Sequence, residues 1–486
     1  MNERIYLNND WYFTEDWSNV HKDWWTKEEG AELDESFCKV RIPHTVKELP
    51  LHYCNENDYQ MTAGYIRTLY VPKEWEGNIL LLTFDGAAHQ STVYVNGTEA
   101  GYHNCGYTAF TMDITRLVKY GQANQIAVRL DSHESLDIPP FGFVIDYMTY
   151  GGIYRDVYLD IKQQTYIKDI FIRTEEDMVV SEIELAGALP GGSHSMKIRQ
   201  SIRSHVPAKA GAAGETAEQS RETAEQSRKT AEQETEYKLL GEASTSTAIL
   251  KFRADHVELW SPESPVLYDV KTEIMPIGRE EPIDTNITTI GFRKAEFRKD
   301  GFYLNGEKYK IRGLNRHQSY PYVGYAMPDE IQKRDADILK YELGCNAVRT
   351  SHYPQSQAFI DRCDELGLLV FTELPGWQHI GGDFWKEQAV ANVKDMVLQY
   401  RNHPSIILWG VRINESVDDD DFYARTNYMA HALDPSRQTG GVRCYKKGSF
   451  QEDVFTYNDF SHTGENRGCE RKAKVTSDLY EFPGAA

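Results

Sequence analysis

The apolar pattern of this chain changes period near residue 294, and that change limits what each side of it can become. Before it, apolar and polar residues alternate in short runs closed by turn signals. Ile79 to Phe84 ends at Asp85-Gly86, Thr92 to Val95 ends at Asn96-Gly97, and Ile126 to Leu130 follows in the same style. A period of two sends successive side chains to opposite faces of a strand, and Asn-Gly or Asp-Gly supplies the positive φ of a tight hairpin. Residues 1–165 are therefore expected to form a β-sandwich. Residues 166–293 repeat the style in Tyr166 to Arg173, Met178 to Leu185, Ala248 to Phe252 and Val266 to Ile274, which predicts a second, smaller sandwich.

From 294 to 486 strand-like and helix-like runs alternate. Tyr309 to Leu314, Ala347 to Ser351, Leu368 to Thr372 and Ile406 to Ile413 read as strands, with weaker ones at Thr439 to Arg443 and Val454 to Tyr457. Pro328 to Leu343, Ser356 to Leu366, Phe384 to Tyr400 and Phe422 to Leu433 read as the helices between them. Such alternation predicts a parallel sheet, and this many units predicts a (β/α)8 TIM barrel. Six strands are legible where a closed barrel has eight, so the barrel is expected to be incomplete.

A chain of 486 residues exceeds a single core, and its length suggests roughly three domains. Hydrophobic residues at 40% and aromatics at 12% exclude a disordered chain. The net charge of −21 argues against a nucleic-acid partner, because phosphate binding needs a basic face. The seven cysteines are scattered without a CxxC pair, which suggests neither a zinc site nor a disulfide framework and fits free thiols in a reducing compartment. No basic-then-apolar leader opens the chain and no run of 18 apolar residues occurs, so a cytoplasmic protein without a membrane partner is expected.

Within the second sandwich, ETAEQSR at 215–221 recurs at 222–228 and then as KTAEQET at 229–235. The period is seven, but Ala is its only apolar residue, so there is no seam for a coiled coil. The segment 207–236 is expected to be a solvated insertion between strands.

Active sites of such barrels lie at the C-terminal ends of the strands. Those ends carry Asn315, Arg316 and His317, then Arg349, Ser351 and His352, then Glu373, then Asn414 and Glu415. Taken singly, each has a structural explanation, such as a helix cap, an ion pair or a satisfied histidine. Gathered at one end of one barrel, they predict a polar pocket. Glycoside hydrolysis suits it, because an oxocarbenium-like transition state needs two flanking carboxylates, about 5–5.5 Å apart in a retaining enzyme. Trp377 and Trp409 offer apolar faces that could pack against a pyranose.

NAVRTSHYP (Asn346 to Pro354) and RNHPSIILWGVRINES (Arg401 to Ser416) resemble the two signatures of glycoside hydrolase family 2. GLNRHQ (Gly313 to Gln318) and DYMTYGGIYRDV (Asp146 to Val157) resemble two further segments of it. The resemblance implies a jelly-roll sugar-binding domain over 1–165, an immunoglobulin-like sandwich over 166–293, and a catalytic barrel over 294–486. It implies retaining hydrolysis of terminal β-D-galactosides, with Glu415 as acid/base and Asn414 on the sugar 2-hydroxyl. His352 would contact the sugar, Arg349 would stand beside the nucleophile, and Asp146 would reach in from the first domain. A β-glucuronidase, a non-catalytic sugar-binding remnant and a fragment completed by another chain are the alternatives. Family members often assemble, so a homo-oligomer is an expected arrangement.

The chain departs from the family pattern at two places. The magnesium site of some family members needs a Glu where Trp377 stands, which leaves His379 alone and the ligand set incomplete. The nucleophile is expected on a seventh strand. Glu481 stands nearest but comes early, so no nucleophile is assigned and the chain reads as C-terminally truncated.

Overall fold

The computed structural model describes residues 3–20, 24, 35–52, 55–142, 145–188, 196–206, 236–244, 247–443 and 449–458. The repeats at 215–235, Glu481, Cys54, Cys444 and Cys469 lie outside them. The free thiols among the described residues are Cys38, Cys105, Cys345 and Cys363.

The first region packs a six-stranded antiparallel sheet, centred on Thr62–Val71 and Gln122–Asp131, against a four-stranded one containing Ile79–Phe84 and Val157–Lys162. The alternation read from sequence is the alternation of burial: in Gln90–Val95 every second residue is buried, as in Val157–Lys162. Trp11, Tyr65, Leu82, Val93 and Leu159 fill the space between the sheets. Asn96-Gly97 turns as expected, with φ of 50° and 80°. Asp85-Gly86 is not that kind of hairpin. Gly86 has no positive φ; its carbonyl accepts from the Tyr154 and Arg155 amides, and a Cβ there would lie 2.9 Å from Arg155 Cδ.

The second region is a smaller sandwich of three and four antiparallel strands around Ile170, Ile183, Ile198, Val270 and Ile274. Met196–Ser204 pairs with Lys238–Ser244, so the charged insertion falls between two partnered strands.

The third region carries a parallel sheet in the order Gly313–Asn315, Ala347–Thr350, Leu369–Glu373, Ile406–Gly410, Gln438–Gly440. A parallel pair of Val442–Arg443 with Thr456–Tyr457 continues it beyond a break at Gly441, where a Cβ would lie 2.1 Å from Arg412 Cβ. The first strand is shorter than the sequence pattern suggests, since Tyr309 to Arg312 leave the ladder and only Gly313–Asn315 pair. Helices Asp329–Asp337, Gln357–Leu366, Asp383–Tyr400 and Asp420–Leu433 cover the sheet, burying Phe359, Val393, Met396 and Phe422 against Val348, Val370 and Trp409. Asp419 caps the last of these helices by accepting from the Phe422 amide. Among the described residues no helix is long and apolar enough to cross a membrane.

The first sandwich is docked onto the barrel by Arg155. Its Nη2 donates to Gln318 Oε1 at 3.0 Å and to the Pro354 carbonyl at 3.2 Å. Tyr107 stacks on Tyr353 with ring centroids 4.4 Å apart. This contact sets the loop bearing Asp146 and Tyr147 over the barrel's strand ends.

Candidate active site

Three neighbouring strands end on one guanidinium. Arg349 Nη2 donates to Glu373 Oε2 at 2.9 Å and to Asn414 Oδ1 at 2.8 Å. His352 Nδ1 lies 2.7 Å from Glu373 Oε1, so both carboxylate oxygens are engaged. Glu373 is 1% exposed. Burial alone would raise its pKa, but the charge of Arg349 and the His352 contact outweigh it and hold the group below the usual carboxylate range.

Glu415 follows Asn414 and has a left-handed backbone, with φ of 54°. A non-glycine residue rarely adopts that conformation unless its surroundings enforce it. Here the enforcement is visible. Its amide donates to the Val442 carbonyl at 2.7 Å, and the Ser416 amide and hydroxyl both return to the Ile413 carbonyl, at 3.2 and 2.8 Å. The turn lifts the partly exposed Glu415 carboxylate from the sheet end, where Gln378 Nε2 donates to Oε2 at 3.2 Å and Asn458 Nδ2 donates to Oε1.

The remaining residues expected at the site divide. Asn315 stands exposed on the first strand, opposite Arg349 in the register. His317 Nδ1 lies 3.2 Å from the Tyr353 hydroxyl, and its ring is 5.5 Å from that of His352. Partial burial, then the proximity of His352, pushes its pKa down to about 4. Asp146 is exposed on the loop from the first sandwich, and the neighbouring Tyr147 ring lies 5.1 Å from His317 and 5.9 Å from His352.

Two expectations need correction. Arg316 does not enter the pocket: it turns into the helix layer, donating to Asp335 at 2.7 Å and Gln332 at 2.7 Å and lying over the Phe359 ring. Alternation along a strand explains this, because Asn315 and His317 share one face and Arg316 takes the other. Trp409 is fully buried, with its indole N–H on Asp434 at 2.9 Å, so it offers no face to a sugar. Trp377 is partly exposed and pairs through its backbone with Asn414.

Among the described residues the ligand set for a divalent cation beside Glu415 is incomplete: no two further His, Cys or carboxylate groups gather with it, and His379 packs edge-on against Trp385.

Three residues near the site carry no strong signal in the sequence: Tyr147, Gln378 and Asn458. Tyr147 lies within the segment that carries Asp146 and Gln378 within ELPGWQHIGG, whereas Asn458 stands at the end of the weakest strand pattern.

Family signatures tile the chain. The sugar binding domain of glycosyl hydrolases family 2 matches residues 7–163, a second glycosyl hydrolases family 2 domain matches 165–293, and the family's TIM barrel domain matches 295–466. The chain belongs to glycoside hydrolase family 2. This family 2 chain is 44% identical over 466 residues to a β-galactosidase of Thermoanaerobacter pseudethanolicus, covering 95% of this chain and 58% of that one. It is 41% identical over 487 residues to a β-galactosidase of Thermoanaerobacterium thermosulfurigenes, covering 99% of this chain and 64% of that one. It thus spans about three fifths of the length of these relatives. Among solved structures, a Bacteroides uniformis β-glucuronidase superposes with a TM-score of 0.74 at 28% identity, over 94% of this chain and 57% of that one. The two sandwiches are accordingly the family 2 sugar-binding and immunoglobulin-like domains, and the parallel sheet belongs to its TIM barrel.

Proposed function

We propose that this site supplies the acid/base half of a retaining β-galactosidase that hydrolyses terminal β-D-galactosides. The observation that carries the reading is the placement of Glu415. Its carboxylate is lifted by an enforced left-handed turn at a strand end, directly beside an Asn414 whose side-chain oxygen is fixed by Arg349.

Bond cleavage needs a proton delivered to the departing oxygen and a negative charge at the anomeric carbon. Glu415 gives the proton, then as a carboxylate takes one from the water that releases the sugar. With its Oδ1 held by Arg349, Asn414 keeps its amide N–H available for a sugar hydroxyl. In this reading His352, His317, Asn315 and Asp146 supply further groups that exchange hydrogen bonds with hydroxyls. Glu373 is not the attacking group, because both of its oxygens are tied to Arg349 and His352 in a buried ion pair. The nucleophile in this reading is a second glutamate outside the described residues, where Glu481 also lies.

The galactoside is favoured over the glucuronide by the names of the two relatives above 40% identity. The test is hydrolysis of chromogenic β-galactoside and β-glucuronide side by side. Turnover of the galactoside, lost in Glu415→Gln, supports the proposal. Preference for the glucuronide overturns its substrate, and unchanged turnover in the variant overturns the role of Glu415.

A further inference from the structure

At the end of the barrel opposite Glu415, the second sandwich and the loops entering the barrel strands line a partly open cavity of about 180 Å³. Arg173 comes from the sandwich strand Thr165–Glu175, Arg293 and Lys294 from the link into the barrel, and Arg437 from the loop before Gln438–Gly440. These four cations share the lining with a single carboxylate, Glu296.

Three of them have carboxylate partners: Arg173 with Glu182 at 2.7 Å, Arg437 with Asp434 at 2.6 Å, and Lys294 with Glu296 of the lining itself at 3.0 Å. Arg293 differs. Its Nε and Nη2 donate to the Pro404 and Ile406 carbonyls, both at 2.5 Å, and no carboxylate pairs with it among the described residues. Among the described residues no acceptor meets Arg293 Nη1, and the buried Nε of Arg173 has none either. A guanidinium partly withdrawn from water without a directly bonded carboxylate is a costly arrangement. Burial and then Arg437 push the Arg293 pKa down, and the carboxylates of Asp434 and Asp364, neither in direct contact with it, offset only part of that.

We propose that this cavity binds a small multivalent oxyanion of the phosphate or sulfate class, with Arg293 supplying the charge that selects it. Convergence of donors from three segments suits a tetrahedral anion better than chloride, because several oxygens can accept at once. A bound anion would brace the junction between sandwich and barrel and raise stability by mass action. The site lies away from the catalytic end, so this inference does not depend on the chain's turnover.

The experiment is calorimetry and thermal unfolding of the full chain with inorganic phosphate, with sulfate and with a phosphate monoester, each against chloride at equal ionic strength. Saturable binding of phosphate or sulfate with a rise in Tm is expected, and tighter binding of the monoester would assign the site to a phosphorylated metabolite. Arg293→Gln should weaken binding at least tenfold. Because Arg293 also ties the link to the barrel, the exposed Lys294→Gln serves as the second variant, with a loss of severalfold. No saturable binding up to about 10 mM, or affinity unchanged in both variants, would overturn the proposal.

Discussion

Arg349 and Asn414 are joined by a 2.8 Å hydrogen bond that reaches past the end of the intervening strand, whose last residue, Glu373, is held by the same guanidinium. The residue preceding Glu415 is thereby oriented by a charge whose counter-charge is buried. Arg349→Met should leave the buried Glu373 without its guanidinium partner and with His352 alone beside it, destabilising the protein by about 3–5 kcal/mol in urea unfolding. A loss below about 1 kcal/mol would mean that the pair contributes little. Arg349→Lys keeps the charge but not the planar fork, and should recover part of the stability without restoring the bond to Asn414.

Acid should act on this pair in a definite direction. The folded-state pKa of Glu373 lies below the ordinary 4.5, so its contribution is present above about 4.5 and is lost as pH falls through the lower folded value. Fully buried His89 works in an adjoining window. Burial pushes it down to about 3 from 6.5, so the unfolded chain takes up its proton first and stability falls as pH drops below about 6.5. Urea midpoints should therefore decline from pH 7 to pH 5, and the His89 ring resonances should not titrate over that range. A titration near pH 6.5 in the folded protein would contradict the assignment.

Arg316 provides a control for the site itself. Because it bonds to Asp335 and Gln332 in the helix layer, Arg316→Met should lower Tm by several degrees while leaving KM for a β-galactoside within about twofold. A large rise in KM at unchanged Tm would return Arg316 to the sugar pocket.

The legible part of the fold is the part that periodicity controls. Alternation marks the sandwich strands, and the strand–helix rhythm marks the barrel together with the strand ends bearing Arg349, Glu373 and Glu415. Side-chain direction within those ends is less legible. In the run from Asn315 to His317, neighbours separate onto opposite faces, and the chemistry of Arg316 suits the pocket although the strand turns it away. Trp409 misleads for a related reason, since an indole in an apolar strand can serve a core as well as a sugar. No pattern in the barrel places Tyr147. Its position beside His317 depends on the docking of Arg155 and Tyr107 against Gln318 and Tyr353, contacts between residues far apart in sequence.

The most direct test of the central claim is to ask whether Glu415 is the proton donor and base. Turnover of a 4-nitrophenyl β-galactoside by the wild-type chain would be compared with that of Glu415→Ala, with and without azide. The expected result is a loss of about 10²–10⁴-fold in the variant. Azide, which needs no general base, should restore release and give the β-configured galactosyl azide. Turnover unaffected by the substitution, or a loss in Glu415→Ala that azide does not relieve, would contradict the assignment.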